Sequence, residues 1–247
     1  MFSTRLIELL SRATSVAVLT GAGVSAESGV PTFRDPGGLW SQFRPEELAN
    51  ADAFLRNPDL VWSWYEFRRG IIADVAPNPG HAALAEFETL YSDFTLITQN
   101  VDGLHRRAGS RRLLELHGSI MHNHCQSCRT PYGGEADDHA HPPRCAACGG
   151  LVRPSVVWFG EQLPQQEVRE AWDAAARCQV FLSIGTSGEV YPAAQLPTVA
   201  RNGGAYTVEI NPRPSAIARQ MHECIEGPSG VVLPALLEDV RRLRLTA

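Results

Sequence analysis

Residues 16–26 read VAVLTGAGVSA. Val16 to Thr20 form an uncharged, apolar run that ends directly in Gly21-Ala22-Gly23-Val24-Ser25-Ala26. The run predicts a buried strand, and the six residues after it follow G-x-G-x-x-A, the relaxed form of the dinucleotide-binding turn. In such a turn the first glycine permits the tight bend and the second lets the backbone approach a pyrophosphate. The small residue at Ala26 lets the next helix pack closely. That helix aims free N–H groups and its positive dipole end at the anion. Alone the turn is a weak signal, because glycine turns after strands are common. An ordinary dehydrogenase also needs a ribose-binding carboxylate about 20 residues on, at the end of a second strand. Glu46 and Glu47 lie in a region with no strand pattern. The turn therefore points to a dinucleotide and away from an ordinary dehydrogenase.

Further buried strands are predicted at Phe94 to Thr98, Val180 to Ile184 and Tyr206 to Ile210, with weaker candidates at Leu113 to Leu116, Val156 to Phe159 and Gly230 to Leu233. Helical segments such as His81 to Leu90 and Glu167 to Arg177 stand among them. Strands alternating with helices imply α/β architecture with a doubly wound parallel sheet, and continuous apolar strands fit a sheet covered on both faces. The N-terminal MFSTRLIELLSRAT reads as an amphipathic helix capped by Ser3, with Leu6, Leu9 and Leu10 on one face. Two stretches break the rhythm, one from about Asp35 to Ala76 and one from about Ser119 to Arg153. Both read as insertions. The expectation is one domain over residues 1–247: a Rossmann-like lobe of about 1–34, 77–118 and 154–247, and a smaller zinc-binding lobe of about 35–76 and 119–153.

Composition narrows the function classes. The chain has 247 residues, 44% hydrophobic, with a net charge of −5, which does not suggest nucleic acid as a partner. The pairs Arg106-Arg107, Arg111-Arg112 and Arg241-Arg242 read as solvated faces. No run of about 18 apolar residues is present, so no membrane span is expected. The N-terminus lacks the pattern of a signal peptide, so a cytoplasmic protein is expected, and a monomer. All 22 basic residues are arginine, which excludes a Walker lysine and a Schiff-base lysine.

Four of the six cysteines form two hooks: Cys125-x2-Cys128 and, after sixteen intervening residues, Cys145-x2-Cys148. That spacing is a strong signal for a tetrahedral all-thiolate zinc site. With sulfur in all four positions no place remains for substrate, so the ion is expected to be structural, stapling a stretch poor in core residues. His122, His124, His139 and His141 lie nearby, but the sulfur set is complete without them. Cys178 and Cys224 stand alone.

The wider string GAGVSAESGVPTFRD, Gly21 to Asp35, resembles the sirtuin signature along its whole length. Further matches follow in fixed order: TQNVDGLH (98–105), LHG (116–118), the four cysteines, VVWFGE (156–161), GTS (185–187) and EIN (209–211). The resemblance implies an NAD-dependent enzyme that removes acyl groups from protein lysines while breaking the glycosidic bond of NAD. It places Asn100 and Asp102 against the nicotinamide amide and Gln99 against the ribose. Phe33 would shield the reacting carbon and Arg34 would order that loop. Ser25 and Ser187 would bind phosphate, Asn211 the adenosine ribose, with Ser229 near the adenine edge. Gly21, Ala22, Gly23, Ala26, Trp40, Val101, Gly185 and Thr186 complete the implied NAD site. His117 is matched to the base that takes a proton from a ribose hydroxyl, a task that suits an imidazole near neutral pH. A structural histidine at a strand end is the competing reading of His117, and His105 is the rival for its role. His105 sits beside a predicted helix, where a packing role is expected.

Tyr65 and Arg68, in WYEFRR, are spaced to share one helical face. Sirtuins that prefer acidic acyl groups carry a matching Tyr-x-x-Arg in the acyl pocket. A guanidinium can hold a carboxylate with two charge-assisted hydrogen bonds, and the phenol adds another. Taken alone, the motif reads better as a solvated Arg-Arg pair on a surface helix; within the sirtuin resemblance the acidic-acyl reading is preferred. Ala49 matches a small residue that leaves room for a longer acyl chain. Val156, Trp158, Phe159 and Gly160, with Val190 and Tyr191, resemble the family's peptide cleft. Two other readings use the same pocket: a mono-ADP-ribosyltransferase, and a non-catalytic sensor of NAD or acyl-lysine. The intact LHG motif opposes the first, and the combination of His117, Asn100 and Asp102 opposes the second.

Overall fold

A computed structural model describes residues 2–33, 44–133 and 141–246. Among these residues nine strands form two sheets. In chain order they are β1 (Ser15–Thr20), β2 (Asp93–Thr98), β3 (Leu113–Glu115), β4 (Gly118–Cys125), β5 (Pro131–Tyr132), β6 (Val152–Val156), β7 (Val180–Ile184), β8 (Tyr206–Asn211) and β9 (Glu223–Glu226). The larger sheet has the order β3-β2-β1-β7-β8-β9 and every neighbouring pair is parallel. It is the doubly wound dinucleotide-binding arrangement, with the order reversing between β1 and β7.

The central strands are apolar along their length because helices cover both faces. One face packs against the helices Thr4–Arg12, Pro79–Leu90 and Ser229–Thr246, through Leu6, Leu84, Phe87, Leu233 and Leu236 against Val18, Leu96 and Leu182. The other packs against Gln165–Arg177 and Leu196–Asn202, through Ala171, Ala175, Leu196 and Ala200 against Leu19, Ile97 and Phe181. Ser3 caps the first helix by accepting from the Leu6 N–H at 3.1 Å.

Two strand expectations fail. Gly230 to Leu233 is the first turn of the helix Ser229–Thr246, whose buried Val232, Leu233, Leu236, Leu237 and Val240 recur at helical spacing. The Glu27 carboxylate fixes that start, accepting from Gly230 N at 2.7 Å and Ser229 Oγ at 3.2 Å. Of Val156 to Phe159 only Val156 is in a strand, and that strand, β6, is antiparallel to β4 in the smaller sheet, of order β5-β4-β6. Trp158 leaves the strand pattern because its ring and its backbone are both held by tertiary contacts described below.

Against the smaller sheet lie the helices Pro45–Leu48, Ala51–Arg56 and Pro58–Asp74. Their core joins Phe54, Tyr65 and Ile72 to Ile120 and Trp158. Asn57 caps the longest of them by accepting from Leu60 N at 3.2 Å, with Pro58 in the first turn. The two sheets meet at His117. β4 starts at the next residue, Gly118 (φ +74°), whose Cα faces the Ser155 carbonyl too closely for any side chain. Val157 N donates to the His117 carbonyl at 2.9 Å.

Candidate active site

Where the sheet order reverses, the ends of β1 and β7 diverge and leave a crevice. Two glycine turns close its floor. Gly23 N donates to Gly185 O at 2.8 Å, and a Cβ on Gly23 would lie 2.8 Å from Gly185 Cα. The second glycine is therefore demanded by turn-against-turn packing as well as by any ligand. The crevice opens into a cavity of about 760 Å³ between the large sheet and the helices beside the small one.

Nearly all residues singled out from the sequence line this one cavity. At the turn these are Gly21, Ala22, Gly23, Ser25, Ala26 and Phe33, with Gly185, Thr186, Ser187 and Asn211 facing them. Gln99, Asn100, Val101, Asp102 and His117 form the middle, and Ala49, Tyr65, Arg68, Val156, Trp158, Phe159, Gly160, Val190 and Tyr191 line the other end. Ser229 is absent from the lining; it is buried, and its hydroxyl is engaged by Glu27. Arg34 and Trp40 lie outside the described residues, as does His139.

The middle of the site is a linked polar group. Ser25 Oγ donates to Asp102 Oδ2 at 2.7 Å and accepts from Asn100 Nδ2 at 3.1 Å. The Leu104 N–H holds the other Asp102 oxygen at 2.9 Å. Burial pushes the Asp102 carboxyl up from the usual carboxylate range, against the downward pull of those hydrogen bonds. The Asn100 amide proton goes to Thr98 Oγ1 at 3.1 Å, and Gln99 Nε2 donates to Thr186 Oγ1 at 3.1 Å. Asn211 Nδ2 donates to the Thr186 carbonyl at 2.9 Å.

His117 has its Nδ1 2.9 Å from the Gln99 carbonyl. A carbonyl can only accept, so Nδ1 carries the proton and Nε2 keeps its lone pair. Burial holds this imidazole below its ordinary value of 6.5. His105 is built differently. It is 2% exposed, its Nε2 lies 3.0 Å from Thr20 Oγ1, and burial drops its pKa to about 3. It does not line the cavity.

His81 escaped the sequence reading. Its ring lies tilted against that of His105, centroids 4.8 Å apart, its Nε2 lies 3.4 Å from Ser25 Oγ, and burial lowers its pKa to about 4. Its one sequence signal is the N-P-G-H start of the helix Pro79–Leu90, where Asn78 and His81 form reciprocal caps.

At the far end Tyr65 and Arg68 are 1% and 7% exposed. The Arg68 guanidinium lies over the rings of Trp64 (4.8 Å), Phe33 (5.2 Å) and Tyr65 (5.6 Å). Burial lowers its pKa, and the nearby charge of Asp102 offsets this only in part. Among the described residues no carboxylate forms an ion pair with it.

Cys125, Cys128, Cys145 and Cys148 converge with all four sulfurs within 4.8 Å of one another. The pairs Cys125–Cys148 and Cys128–Cys145 are 3.5 and 3.7 Å apart. Zn–S bonds of about 2.3 Å set the edge of a tetrahedral site at about 3.8 Å, so the four thiols fit a structural zinc. Trp62 and Val152 pack against the buried pair Cys125 and Cys145.

The Sir2 family model matches residues 21–192. "NAD-dependent protein deacylase 2" of Pyrobaculum aerophilum is 52% identical over 235 residues, covering 95% of this chain and 94% of the other. "NAD-dependent protein deacylase 1" of Pseudomonas aeruginosa is 49% identical over 240 residues, covering 94% and 96%. Among solved structures, a Sir2 homologue–NAD complex superposes with a TM-score of 0.92 at 42% identity, over 99% of this chain and 96% of the other.

Proposed function

The chain belongs to the Sir2 family, the sirtuins, and from that premise we infer that it removes acyl groups from protein lysines with NAD as co-substrate, acidic acyl groups such as succinyl and malonyl among them. The observation that carries this reading is a single cavity joining the glycine turn, the unprotonated Nε2 of His117 and the Arg68 cation, which pairs with no carboxylate among the described residues. NAD, when bound, supplies an electrophilic ribose carbon with nicotinamide as its leaving group.

The chain's own groups do the rest. Gly21, Ala22 and Gly23 bring the backbone close to the pyrophosphate, with Ser25 and Ser187 near it. Asn100 and Asp102 hold the two ends of the carboxamide, and Asn211 holds the distal ribose. His117 Nε2 takes the proton of a ribose hydroxyl, and the Gln99 carbonyl keeps the ring in the required tautomer. With one water consumed, the products are free lysine, nicotinamide and 2′-O-acyl-ADP-ribose. Arg68 clamps the carboxylate of an acidic acyl group, beside Tyr65. The smaller acetyl group also fits. An extended substrate peptide lies along Val156 to Gly160 and Val190 to Tyr191, where backbone pairing gives affinity with little sequence preference.

Incubation with NAD and either a succinylated or an acetylated peptide tests the reading. Free lysine peptide and nicotinamide are expected from both. ADP-ribose transferred to protein would establish a transferase instead, and binding without turnover a sensor.

A further inference from the structure

We propose that Trp158 is a specificity-determining residue that acts through Tyr65: its indole N–H occupies the acceptor side of the Tyr65 hydroxyl and leaves that hydroxyl only a proton to offer the acyl pocket. The inference rests on the acyl-pocket reading above and narrows it to acyl groups that end in acceptors alone.

An indole nitrogen can only donate, and a phenol has one proton to give. Trp158 Nε1 donates to Tyr65 Oη at 2.8 Å, with both side chains at most 2% exposed. Among the described residues nothing accepts the Tyr65 proton. One turn along the same helix face, Arg68 contributes only donors, and three aromatic rings hold its guanidinium in place. The two polar side chains offered to the acyl terminus there, Tyr65 and Arg68, therefore both present donors, while two carboxylates that also line the cavity are engaged elsewhere, Asp102 by Ser25 and Leu104 and Glu161 by Arg153 and the Trp158 N–H. A carboxylate satisfies both donors. A carboxamide of the same size brings two N–H groups against N–H and O–H groups, and a buried mismatch of that kind is strongly rejected.

The donor character of Tyr65 lasts only while Trp158 cannot turn, and the structure locks it from three sides. The fully buried Arg153 stacks on the indole at 3.3 Å. Arg153 is itself bonded to Glu161 (2.5 and 2.9 Å), Val156 O (2.7 Å) and Gln126 Oε1 (3.0 Å). Glu161 Oε2 also accepts from the Trp158 backbone N–H at 2.8 Å, and the Phe54 ring sits 5.3 Å away. Gln126 lies inside the first cysteine hook, so the lock begins at the metal-binding knuckle and ends at the acyl pocket.

The test compares a succinyl-lysine peptide with its carboxamide isostere, succinamoyl-lysine, as ratios of kcat/KM. The folded protein is expected to favour the carboxylate by at least about a hundredfold, on the low side of the roughly 10⁴–10⁵-fold rejection of analogues that leave a buried polar site unpaired. Trp158→Phe keeps the ring and removes the N–H; it should cut that ratio by about tenfold, through KM for the two acyl groups. Tyr65→Phe should cut it equally, and adding Trp158→Phe to it should change the ratio no further. A purely structural role for Trp158 would lower both substrates together and leave the ratio in place. That result, or additive effects in the double variant, overturns the proposal while leaving the acyl reading intact. A protein that does not distinguish succinyl from succinamoyl, and whose ratio Arg68→Met does not alter, overturns both.

Discussion

Replacing Arg68 by methionine separates recognition from folding, because the two respond with opposite signs. Arg68 is 7% exposed, surrounded by aromatic rings and paired with no carboxylate among the described residues. A bound acidic acyl group gains a bidentate, charge-assisted contact there, each bond of about 1.5–3 kcal/mol. Losing about 3 kcal/mol of that interaction in the transition state lowers kcat/KM for desuccinylation by about a hundredfold. An acetyl group carries no charge to lose, so deacetylation should fall by only about threefold, the scale of a small packing change. Stability should move the other way. Burying the cation carries a desolvation penalty of several kcal/mol, which cation–π contacts of about 0.5–2 kcal/mol each offset only in part. Methionine keeps packing against the rings without the charge. The melting temperature of the free protein should therefore hold or rise by a few degrees. Steady-state kinetics with both peptides and a thermal scan read out the two effects. Equal loss of both activities with a lower melting temperature would show that Arg68 supports the fold and does not select the acyl group.

His117→Ala should abolish turnover while leaving the thermal transition within a few degrees of the parent; full activity in that variant would dismiss the assigned base. Because burial depresses the His117 pKa, the acid limb of kcat/KM should lie below pH 6.5, and a limb at or above that value would contradict the buried, neutral imidazole. His81 and His105, with pKa values near 4 and 3 in the folded chain, stay neutral where the unfolded chain protonates. Stability should thus be full above about pH 6.5 and fall by about 1.4 kcal/mol per pH unit for each histidine as pH drops below it, until their folded pKa values are reached; urea midpoints at pH 7 and 5 measure this, and no difference would refute it. Chelation should release one zinc per chain and lower the melting temperature by about 10 °C or more, with a change in fluorescence from Trp62 beside the cysteines; an unchanged transition would deny the metal its structural role. Gly23→Ala should eliminate binding of ADP-ribose and destabilise the fold, since the new Cβ meets backbone atoms of Gly185 that cannot move aside; near-parental affinity would refute it.

Much of this architecture could be read from the chain because the responsible forces are local. β1 and β7 announce themselves as nearly continuous apolar runs, and β2 and β8 as β-branched and aromatic runs in which the buried Glu209 is the one internal charge, since helices cover both faces of the sheet. The two cysteine hooks bring their own geometry, and Tyr65 and Arg68 share a face by helical spacing alone. The failures are tertiary. Gly230 to Leu233 looks like a strand because its two β-branched valines favour strand over helix; the Glu27 carboxylate, 203 residues away, starts the helix. β9 pairs only with β8 at the sheet edge, so its residues alternate between half-buried and exposed and form no apolar run. His81 faces Ser25 only after the helix Pro79–Leu90 docks, and the Trp158–Tyr65 bond joins residues 93 positions apart. No local pattern encodes either meeting.

The junction at His117 sets how the cleft can move. Gly118 pairs with Val156 at the base of the β4–β6 ribbon, while the cysteines begin at its far end. If that ribbon swings on its base, displacement grows with the length of the lever arm. Seven residues of strand give Cys125 an arm of roughly 20 Å, so a swing of about 10° carries the knuckle some ~3.5 Å. The imidazole, one residue from the pivot, barely shifts. Like the pin of a door, the base stays in place while the panel opens, so the gap can widen to admit a bulky chain without the reacting geometry being rebuilt at each turnover.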